Sequence, residues 1–256
     1  MEVISLTDLR KDIFQKYKKI HDDFVDNDAL NYQERLEWFR HLFMKNYRDC
    51  FKNPESRVLE IGCNKGYFLS ILRDNGFNKL FGIDLSPDDI AEARKRFQLE
   101  NVVVADAFEF LSKHSKGKAK TFDIIFAKDV LEHIPKHQLN EFLSKIKTAL
   151  SSNGTVIFQV PNMDWIMSPH ERYMDLTHEV GFNKESLGQL MRLHFQNVEI
   201  KKVHYVFPKT WKQKMLFGFF RTAYLRLYRF HLKIFSEGAG EVWFESREIM
   251  AIGKNL

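Results

Sequence analysis

Two acidic residues and a glycine-containing loop form the first pattern in the chain that could do chemistry. Glu60 lies in a short apolar segment, Gly62 and Gly66 follow it at G-x-x-x-G spacing, and Asp84 ends the next apolar segment. Glycine lets a loop turn sharply and lets a ligand approach the main chain. An acid about 20 residues further on accepts hydrogen bonds from ribose hydroxyls. The pattern therefore predicts a nucleoside-binding site.

The charge near this loop separates two classes of nucleoside ligand. A dinucleotide site needs the G-x-G-x-x-G fingerprint, whereas this loop has only Gly62 and Gly66, with Asn64 between them. Asn is one of the few residues besides glycine that tolerates a positive φ. A carboxylate at Glu60 would repel a pyrophosphate and attract a sulfonium or ammonium group. We therefore expect a positively charged nucleoside, and an ordinary strand–helix turn is the competing interpretation.

A second group of residues has the side chains for a reaction. Asp129, Glu132 and His133 follow one strand-like segment, and Asp175 and His178 follow a later one. Positions 129, 132 and 133 share one face of a helical turn, and His178 could bring a further nitrogen, so the set has the ligand chemistry of a divalent cation. The alternative is that His133 or His178 acts as a general base without a metal, with Asp175 orienting the His178 imidazole.

The elements that must position both groups read as an α/β sheet. Apolar strand-like segments occur at 59–61 and 80–84 and within 102–107, 122–134 and 154–162, and helical patterns lie between them. A turn at Asn153-Gly154 precedes the fifth segment, and two further strands are expected at about 198–207 and 247–252. Ser86 and Pro87 supply a helix cap and a proline at the first helical position. Alternating strands and helices predict a mostly parallel sheet with right-handed crossovers. Such sheets bind ligands outside the carboxyl ends of their strands.

Taken in order, these motifs resemble class I S-adenosylmethionine-dependent methyltransferases. The segment from Glu60 to Gly66, reading EIGCNKG, is similar to the family signature E-x-G-x-G-x-G and departs from it at Asn64. Asp84 matches the ribose-binding acid of the family, and Asp106 matches the acid that reads the adenine amino group. The resemblance implies a Rossmann-like seven-stranded sheet in the order 3-2-1-4-5-7-6, with helices on both faces. It also implies S-adenosyl-L-methionine contacts from Glu60, Gly62, Asn64, Gly66, Asp84, Leu85, Asp106, Ala107 and Lys128.

The second group has resemblances of its own. The D-x-x-E-H pattern at 129–133 and the distant His178 resemble the E-x-x-E-H metal site of small-RNA 2′-O-methyltransferases, but D-V-L-E-H-I also occurs in relatives that use no metal. Thr177-His178 ahead of Phe182 is similar to ubiquinone-biosynthesis O-methyltransferases, and 175–187 resembles methyltransferases that modify bacterial surface glycans and their activated precursors. These resemblances imply an O-methyltransferase in which Mg²⁺ or Mn²⁺ could bind Asp129, Glu132, His133 and His178.

Composition limits the size of the core, the use of the cysteines and the cellular compartment that can be expected. The chain has 256 residues, 44% of them hydrophobic, which is enough for one large core. The two cysteines, Cys50 and Cys63, form no CxxC pair, and residues 1–20 lack the apolar region of a secretory signal. No run reaches the 18 or so apolar residues of a membrane span. We expect a cytoplasmic protein, with the inner face of the membrane as a further possibility.

Four segments organise the chain. Residues 5–50 read as helices, the second running from about Tyr32 to Phe51, and Asn53-Pro54 marks a boundary. These helices either cover one part of the sheet or close over the cofactor, with Tyr32 and Arg35 reaching its carboxylate. We predict an N-terminal helical cap (1–53), a methyltransferase core (54–207), a helical insertion (208–241) and the last strand (242–256).

The insertion is rich in basic and aromatic residues. From 209 to 233 it holds seven lysines and arginines, seven aromatic residues and no acid. Three interpretations compete: a lid that packs its aromatics on the core and offers cations to a phosphorylated acceptor, a helix that contacts an anionic membrane surface, or a nucleic-acid grip. The sequence favours the lid, and the mild net charge of +5 argues against nucleic-acid binding.

The expected function is transfer of a methyl group from S-adenosylmethionine to an oxygen acceptor. The histidines and the resemblance favour oxygen, and the basic insertion would suit a phosphorylated or nucleotide-linked sugar or glycan precursor. The alternatives are an RNA or quinone-type O-methyltransferase and a cofactor-binding subunit without catalysis. The fold hosts many acceptors, so the sequence does not choose among them.

Overall fold

Seven strands form a single sheet in the computed structural model, which describes residues 32–114, 121–204, 210–235 and 242–255, together with Ile13. The strands are β1 (Val58–Ile61), β2 (Leu80–Asp84), β3 (Val102–Val104), β4 (Phe122–Lys128), β5 (Leu150–Pro161), β6 (Gln196–Lys202) and β7 (Glu248–Lys254). Their order is β3-β2-β1-β4-β5-β7-β6. The first five run parallel, and β7 runs antiparallel to both of its neighbours. The predicted fold class and strand order are confirmed.

Eight α-helices belong to the described residues. They are α1 (Tyr32–Leu42), α2 (Tyr67–Asp74), α3 (Pro87–Phe97), α4 (Ala107–His114), α5 (Leu139–Ala149), α6 (Ser168–Tyr173), α7 (Lys184–Arg192) and α8 (Trp211–Phe235). The end of α1 passes into a π-helical turn (Phe43–Tyr47) and a 3₁₀ turn (Arg48–Cys50), so the predicted helix up to about Phe51 is present with a change of winding. Helix α3 begins as predicted, because the Ser86 side chain accepts a hydrogen bond from the Asp89 N–H and Pro87 takes the first position.

Helices cover both faces of the sheet because its strands alternate their side chains between two cores. Leu59 and Ile61 of β1 belong to one core, to which α5 and α7 contribute Phe142 and Leu187. Val58 belongs to the other core, to which α1 to α3 contribute side chains such as Leu42, Leu69 and Ile90. Because β1 to β5 are parallel, the loops that follow β1, β2, β4 and β5 meet at one edge of the sheet, where ligands of open α/β sheets bind.

Two strand boundaries differ from the sequence predictions. Strand β5 begins at Leu150, ahead of the predicted Asn153-Gly154 turn; Asn153 has φ +62° within the strand, and the register with β4 shifts there. Strand β6 begins at Gln196 and ends at Lys202 rather than near Phe207. Residues 205–209, and the predicted first helix apart from Ile13, lie outside the described residues.

Candidate active site

The loop between β1 and α2 is held in a conformation that few side chains allow. Gly62, Asn64 and Gly66 have φ values of +73°, +45° and +75°, which confirms the left-handed conformation expected at Asn64. A Cβ on Gly62 would lie 2.7 Å from a methyl group of Val130, and one on Gly66 would lie 2.6 Å from Leu99. Gly62 thus lets the loop pass close to the segment after β4, and Gly66 lets α2 pack on its neighbours.

Asp84 lies where the predicted ribose-binding acid should be, at the carboxyl end of β2. Its carboxylate accepts the backbone N–H groups of Asn64 (2.8 Å) and Ser86 (2.9 Å), which ties the two ligand loops together. Burial raises the pKa of Asp84, while these N–H groups oppose that rise. The carboxylate has further lone pairs that a hydroxyl could use.

A cavity of about 360 Å³ opens between these loops, within the size range of small-ligand sites. Five acids line it: Glu60, Asp84, Asp89, Asp106 and Asp129. Asp89 also accepts a hydrogen bond from the side-chain amide of Asn64 (3.1 Å), and Asp106 accepts one from the Glu109 N–H at the start of α4 (3.1 Å). The remaining predicted cofactor residues on its wall are Gly62, Asn64, Leu85, Ala107 and Lys128. Gly66 is absent from the wall and serves α2 packing instead.

Glu60 places a buried carboxylate at the wall of this cavity. Its side chain is 5% exposed, and its Oε2 is buried without a hydrogen-bond partner among the described residues. Burial, and then the negative charge of Asp84, raise the pKa of Glu60 well above its usual range. A ligand that brings a cationic donor would satisfy this oxygen and favour its ionised form.

Lys128 and Asp129 form a partly buried ion pair that the sequence prediction did not foresee. Lys128 Nζ contacts the Asp129 carboxylate and lies 3.8 Å from Glu248 Oε2. Although burial opposes it, the charges of Asp129 and Glu248 hold the pKa of Lys128 above its ordinary value. Asp129 has φ +53°, so it does not share a helical face with Glu132 and His133. The prediction of Asp129 as a metal ligand is therefore corrected.

Glu132, His133 and His178 do come together. One ligand atom from each lies within 4.8 Å of the others, and the rings of the two histidines are 4.8 Å apart. The two chain segments are joined at this point because the N–H groups of Glu179 and Val180 donate to the Glu132 carbonyl (2.8 and 3.1 Å). Both carboxylate oxygens of Glu132 are buried, and in the part of the chain that the structure describes neither has a hydrogen-bond partner. Burial, and then the charge of Asp129, raise the pKa of Glu132 well above its usual range.

Hydrogen bonds assign the ring protons of both histidines. The Thr177 hydroxyl donates to Asp175 (2.6 Å), so His133 Nδ1, 2.8 Å from that hydroxyl, must donate to it. His178 Nδ1 lies 2.9 Å from the Glu171 carbonyl and donates to it. In both rings the lone pair is then on Nε2. Asp175 thus acts through Thr177 on His133, which corrects the expectation that it orients His178.

Burial favours the neutral form of the buried histidine. Burial, and then the neighbouring His178, lower the pKa of His133 to about 4. Burial alone would raise the pKa of Asp175, but the Thr177 hydroxyl and N–H together hold it below its ordinary value. His133 is therefore neutral near pH 7, with an Nε2 that can accept a proton or bind a cation.

Several cavity residues were missed or only half anticipated by the sequence. Arg35 lines the cavity, whereas Tyr32, named with it, packs on Tyr67 with ring centroids 6.0 Å apart. Tyr67, Asp89, Phe108 and Ile134 also line the cavity. No motif distinguished them, because their residue types and helical spacing equally suit ordinary packing.

The methyltransferase domain family matches residues 32–217 of the chain. This match covers well over half of the sequence and includes the described site from Glu60 to His178. The chain belongs to that family, and its fold is that of S-adenosylmethionine-dependent methyltransferases.

Individual relatives agree on the class and differ in substrate. A tRNA U34 carboxymethyltransferase from Pseudoalteromonas translucida is 28% identical over 155 residues, 56% of this chain and 46% of that protein. A ubiquinone biosynthesis O-methyltransferase from Histophilus somni is 27% identical over 112 residues, 42% and 46%. The chain thus spans about half the length of the curated relatives it matches. A SAM-dependent methyltransferase from Archaeoglobus fulgidus has the same fold, with a TM-score of 0.65, 21% identity, and 93% and 99% coverage.

Proposed function

We propose that the protein transfers a methyl group from S-adenosylmethionine to an oxygen acceptor. The observation that carries this proposal is the pair of imidazoles, His133 and His178, whose rings are 4.8 Å apart beside the acid-lined cavity. A hydroxyl acceptor must lose its proton as it attacks, and a neutral imidazole nitrogen can take it near pH 7. Because burial lowers the pKa of His133 to about 4, its Nε2 is a weak proton acceptor, so His178 Nε2 is the better candidate for that task.

The donor set of the cavity fits the cofactor. Glu60 offers an unpartnered buried oxygen to a cationic group, Asp84 offers lone pairs to ribose hydroxyls, and Asp106 offers a carboxylate to an amino group. When bound, S-adenosylmethionine supplies a methyl group on a sulfonium, which is already an activated leaving group. The chain then has to orient the acceptor and remove one proton, and orientation supplies most of the rate gain.

A divalent cation held by Glu132, His133 and His178 is part of this proposal. It is supported by the two unpartnered oxygens of the Glu132 carboxylate, which no described residue of the chain satisfies. Two imidazoles and one carboxylate suit Mn²⁺ better than Mg²⁺, which prefers oxygen ligands. Such a cation would lower the pKa of an acceptor hydroxyl and position it. Without it, His178 Nε2 or His133 Nε2 is the general base.

We further propose that the acceptor carries phosphate, as a phosphorylated or nucleotide-linked sugar or a glycan precursor does. Two guanidinium groups near His178 are the support for this class, and each already has a protein acceptor that a phosphate oxygen would have to replace. Arg172 donates to the carbonyl of His178 (2.6 Å), and Arg247 lies 3.1 Å from the carboxylate of Glu171. Arginine forks recognise phosphate oxygens in two-point contacts.

A labelled-methyl screen tests the acceptor class. Purified protein with radiolabelled S-adenosylmethionine should label sugar phosphates or nucleotide sugars, and the label should be lost as methanol only under ether-cleaving conditions. Label on a catechol or quinol instead would keep O-methylation and reject the phosphate. Label found only on amines would reject O-methylation.

A further inference from the structure

Helix α8 leaves most of its apolar side chains uncovered. None of the helices in the described part of the chain has the length and apolar content needed to cross a membrane, so α8 is not a span. Yet Trp211, Phe217 and Phe219 are exposed. So are Leu216, Phe220, Leu227, Phe230 and Ile234, each between 59% and 67%. This exposure contradicts the interpretation that the aromatics of the insertion pack on the core.

These exposed residues follow a helical repeat. Leu216, Phe220, Leu227, Phe230 and Ile234 recur at intervals of three, four and seven, so they form one stripe, which we call the apolar stripe of α8. At about 1.5 Å per residue the stripe is about 27 Å long. It lies nearly opposite the side of α8 that touches the body of the protein.

The inner side of α8 is identified by its contacts. Leu225, Tyr228 and Leu232 are the half-buried residues of the helix, and the Tyr228 ring lies 4.6 Å from that of Phe244. Arg229 lies 3.4 Å from the Glu245 carboxylate. The stripe is therefore not an unsatisfied part of this inner contact but a separate outward surface.

Charge identifies the partner of the stripe. By the helical spacing of about 100° per residue, Arg226 and Lys233 lie along one side of it, and both are exposed. No acidic residue occurs between 209 and 235 in the sequence. A long apolar stripe with cations along its edge and no acid on the helix is typical of helices that lie in the interface of an anionic bilayer.

Two other partners fit less well. Packing α8 on a second copy would bring two sets of cations together with no acid on either helix to offset them. Nucleic acid would use the cations and the aromatic rings, but it offers nothing to the exposed aliphatic side chains of Leu216, Leu227 and Ile234.

We propose that α8 binds the surface of anionic phospholipid membranes through its apolar stripe, with Arg226 and Lys233 contacting lipid headgroups. This contact is independent of methyl transfer, because the stripe lies on the helix side away from the body of the protein. It makes the chain a peripheral membrane protein whose binding depends on lipid charge.

Co-sedimentation with lipid vesicles tests the proposal on the whole protein. Vesicles of phosphatidylcholine with phosphatidylglycerol should bind it, and vesicles of phosphatidylcholine alone should bind it much more weakly. Leu227→Asn should weaken binding about 10-fold or more, because one inserted leucine is lost. The double variant Arg226→Gln/Lys233→Gln should weaken it about 30-fold on the charged vesicles only.

Matched controls distinguish binding through α8 from nonspecific hydrophobic or electrostatic binding of vesicles. Leu193, 70% exposed at the end of α7, gives the control Leu193→Asn, and exposed lysines on α3 and α5 give Lys95→Gln/Lys147→Gln. Both controls should bind as the wild type does. Retained binding of S-adenosylhomocysteine shows that each variant is folded.

The proposal is overturned if the protein ignores charged vesicles or if the α8 variants bind as tightly as their controls. Light scattering that shows a dimer lost in Leu227→Asn, without vesicle binding, would assign the stripe to a second copy. Salt-sensitive RNA binding without vesicle binding would assign it to nucleic acid.

Discussion

Replacing Glu60 by glutamine should make the ligand-free protein more stable and should weaken its binding of the cofactor. The substitution keeps the shape of a buried side chain but removes a charge whose Oε2 has no partner and which lies near Asp84. Glutamine is itself polar, so the gain comes from the charge: each unit by which burial raises the pKa of Glu60 is worth about 1.4 kcal/mol at a pH above the raised pKa. For a chain of this size, about 1.4 kcal/mol corresponds to a rise in Tm of about 3–6 °C.

The sign of the effect depends on pH. Burial raises the folded-state pKa of Glu60 above its value in the unfolded chain, so the folded protein keeps this proton where the unfolded chain has lost it. The wild type therefore loses stability as pH rises through the raised pKa, and Glu60→Gln does not. The difference between them should vanish below about pH 4, grow as pH rises above that value, and become constant once the folded carboxyl has also lost its proton.

Scanning calorimetry from pH 4 to 8 measures the stability of the ligand-free protein, and titration with S-adenosylhomocysteine measures the affinity of the site. Loss of a charge-assisted hydrogen bond of about 1.5–3 kcal/mol should weaken binding about 10- to 150-fold. Asp123→Asn, near the start of the neighbouring strand β4, is a matched control. The Asp123 carboxylate accepts hydrogen bonds from the Arg57 N–H (2.8 Å) and the Ser151 hydroxyl (2.9 Å), so removing its charge should destabilise the protein. A Glu60→Gln protein that is less stable at pH 8, or that binds as tightly as wild type, would refute the reasoning.

Three further predictions concern the second cluster. EDTA should abolish turnover and Mn²⁺ restore it, and Mn²⁺ should raise the Tm of wild type but not of Glu132→Gln; full turnover after chelation would reject the metal. His178→Ala should lower kcat by about 10²–10⁴-fold with cofactor affinity intact, and unchanged kcat would remove His178 from the mechanism. Thr177→Val should lower kcat, and Thr177→Ser should restore it, because the hydroxyl fixes the ring proton of His133; equal kcat for both variants would leave Thr177 only structural.

The parallel part of the sheet and the glycine loop could be predicted from the sequence, because each has a local cause. Buried parallel strands show as continuous apolar runs, and a loop that needs positive φ uses glycine or asparagine, as at Gly62, Asn64 and Gly66. The boundaries of β6 could not be predicted, because this edge strand has no buried residue to mark its ends.

The contents of the second cluster were only partly predictable, because they depend on backbone conformation and partners distant in sequence. Asp129 was grouped with Glu132 on the assumption of a helical turn. Its φ of +53° is not helical, and its carboxylate forms an ion pair with Lys128. Thr177 stands between Asp175 and His133 only once the two loops meet at the Glu132 carbonyl. The exposure of the apolar stripe of α8 was likewise invisible, because a buried helix and a membrane-surface helix can share one composition.

Direct titration calorimetry with the untreated protein is the plainest test of the acid-lined crevice. S-adenosylmethionine and its demethylated product should both release measurable heat at one site per chain, while NAD, whose pyrophosphate would face Glu60, should release none. Heat with NAD and none with either adenosyl compound would contradict the assignment of this cavity to a positively charged nucleoside.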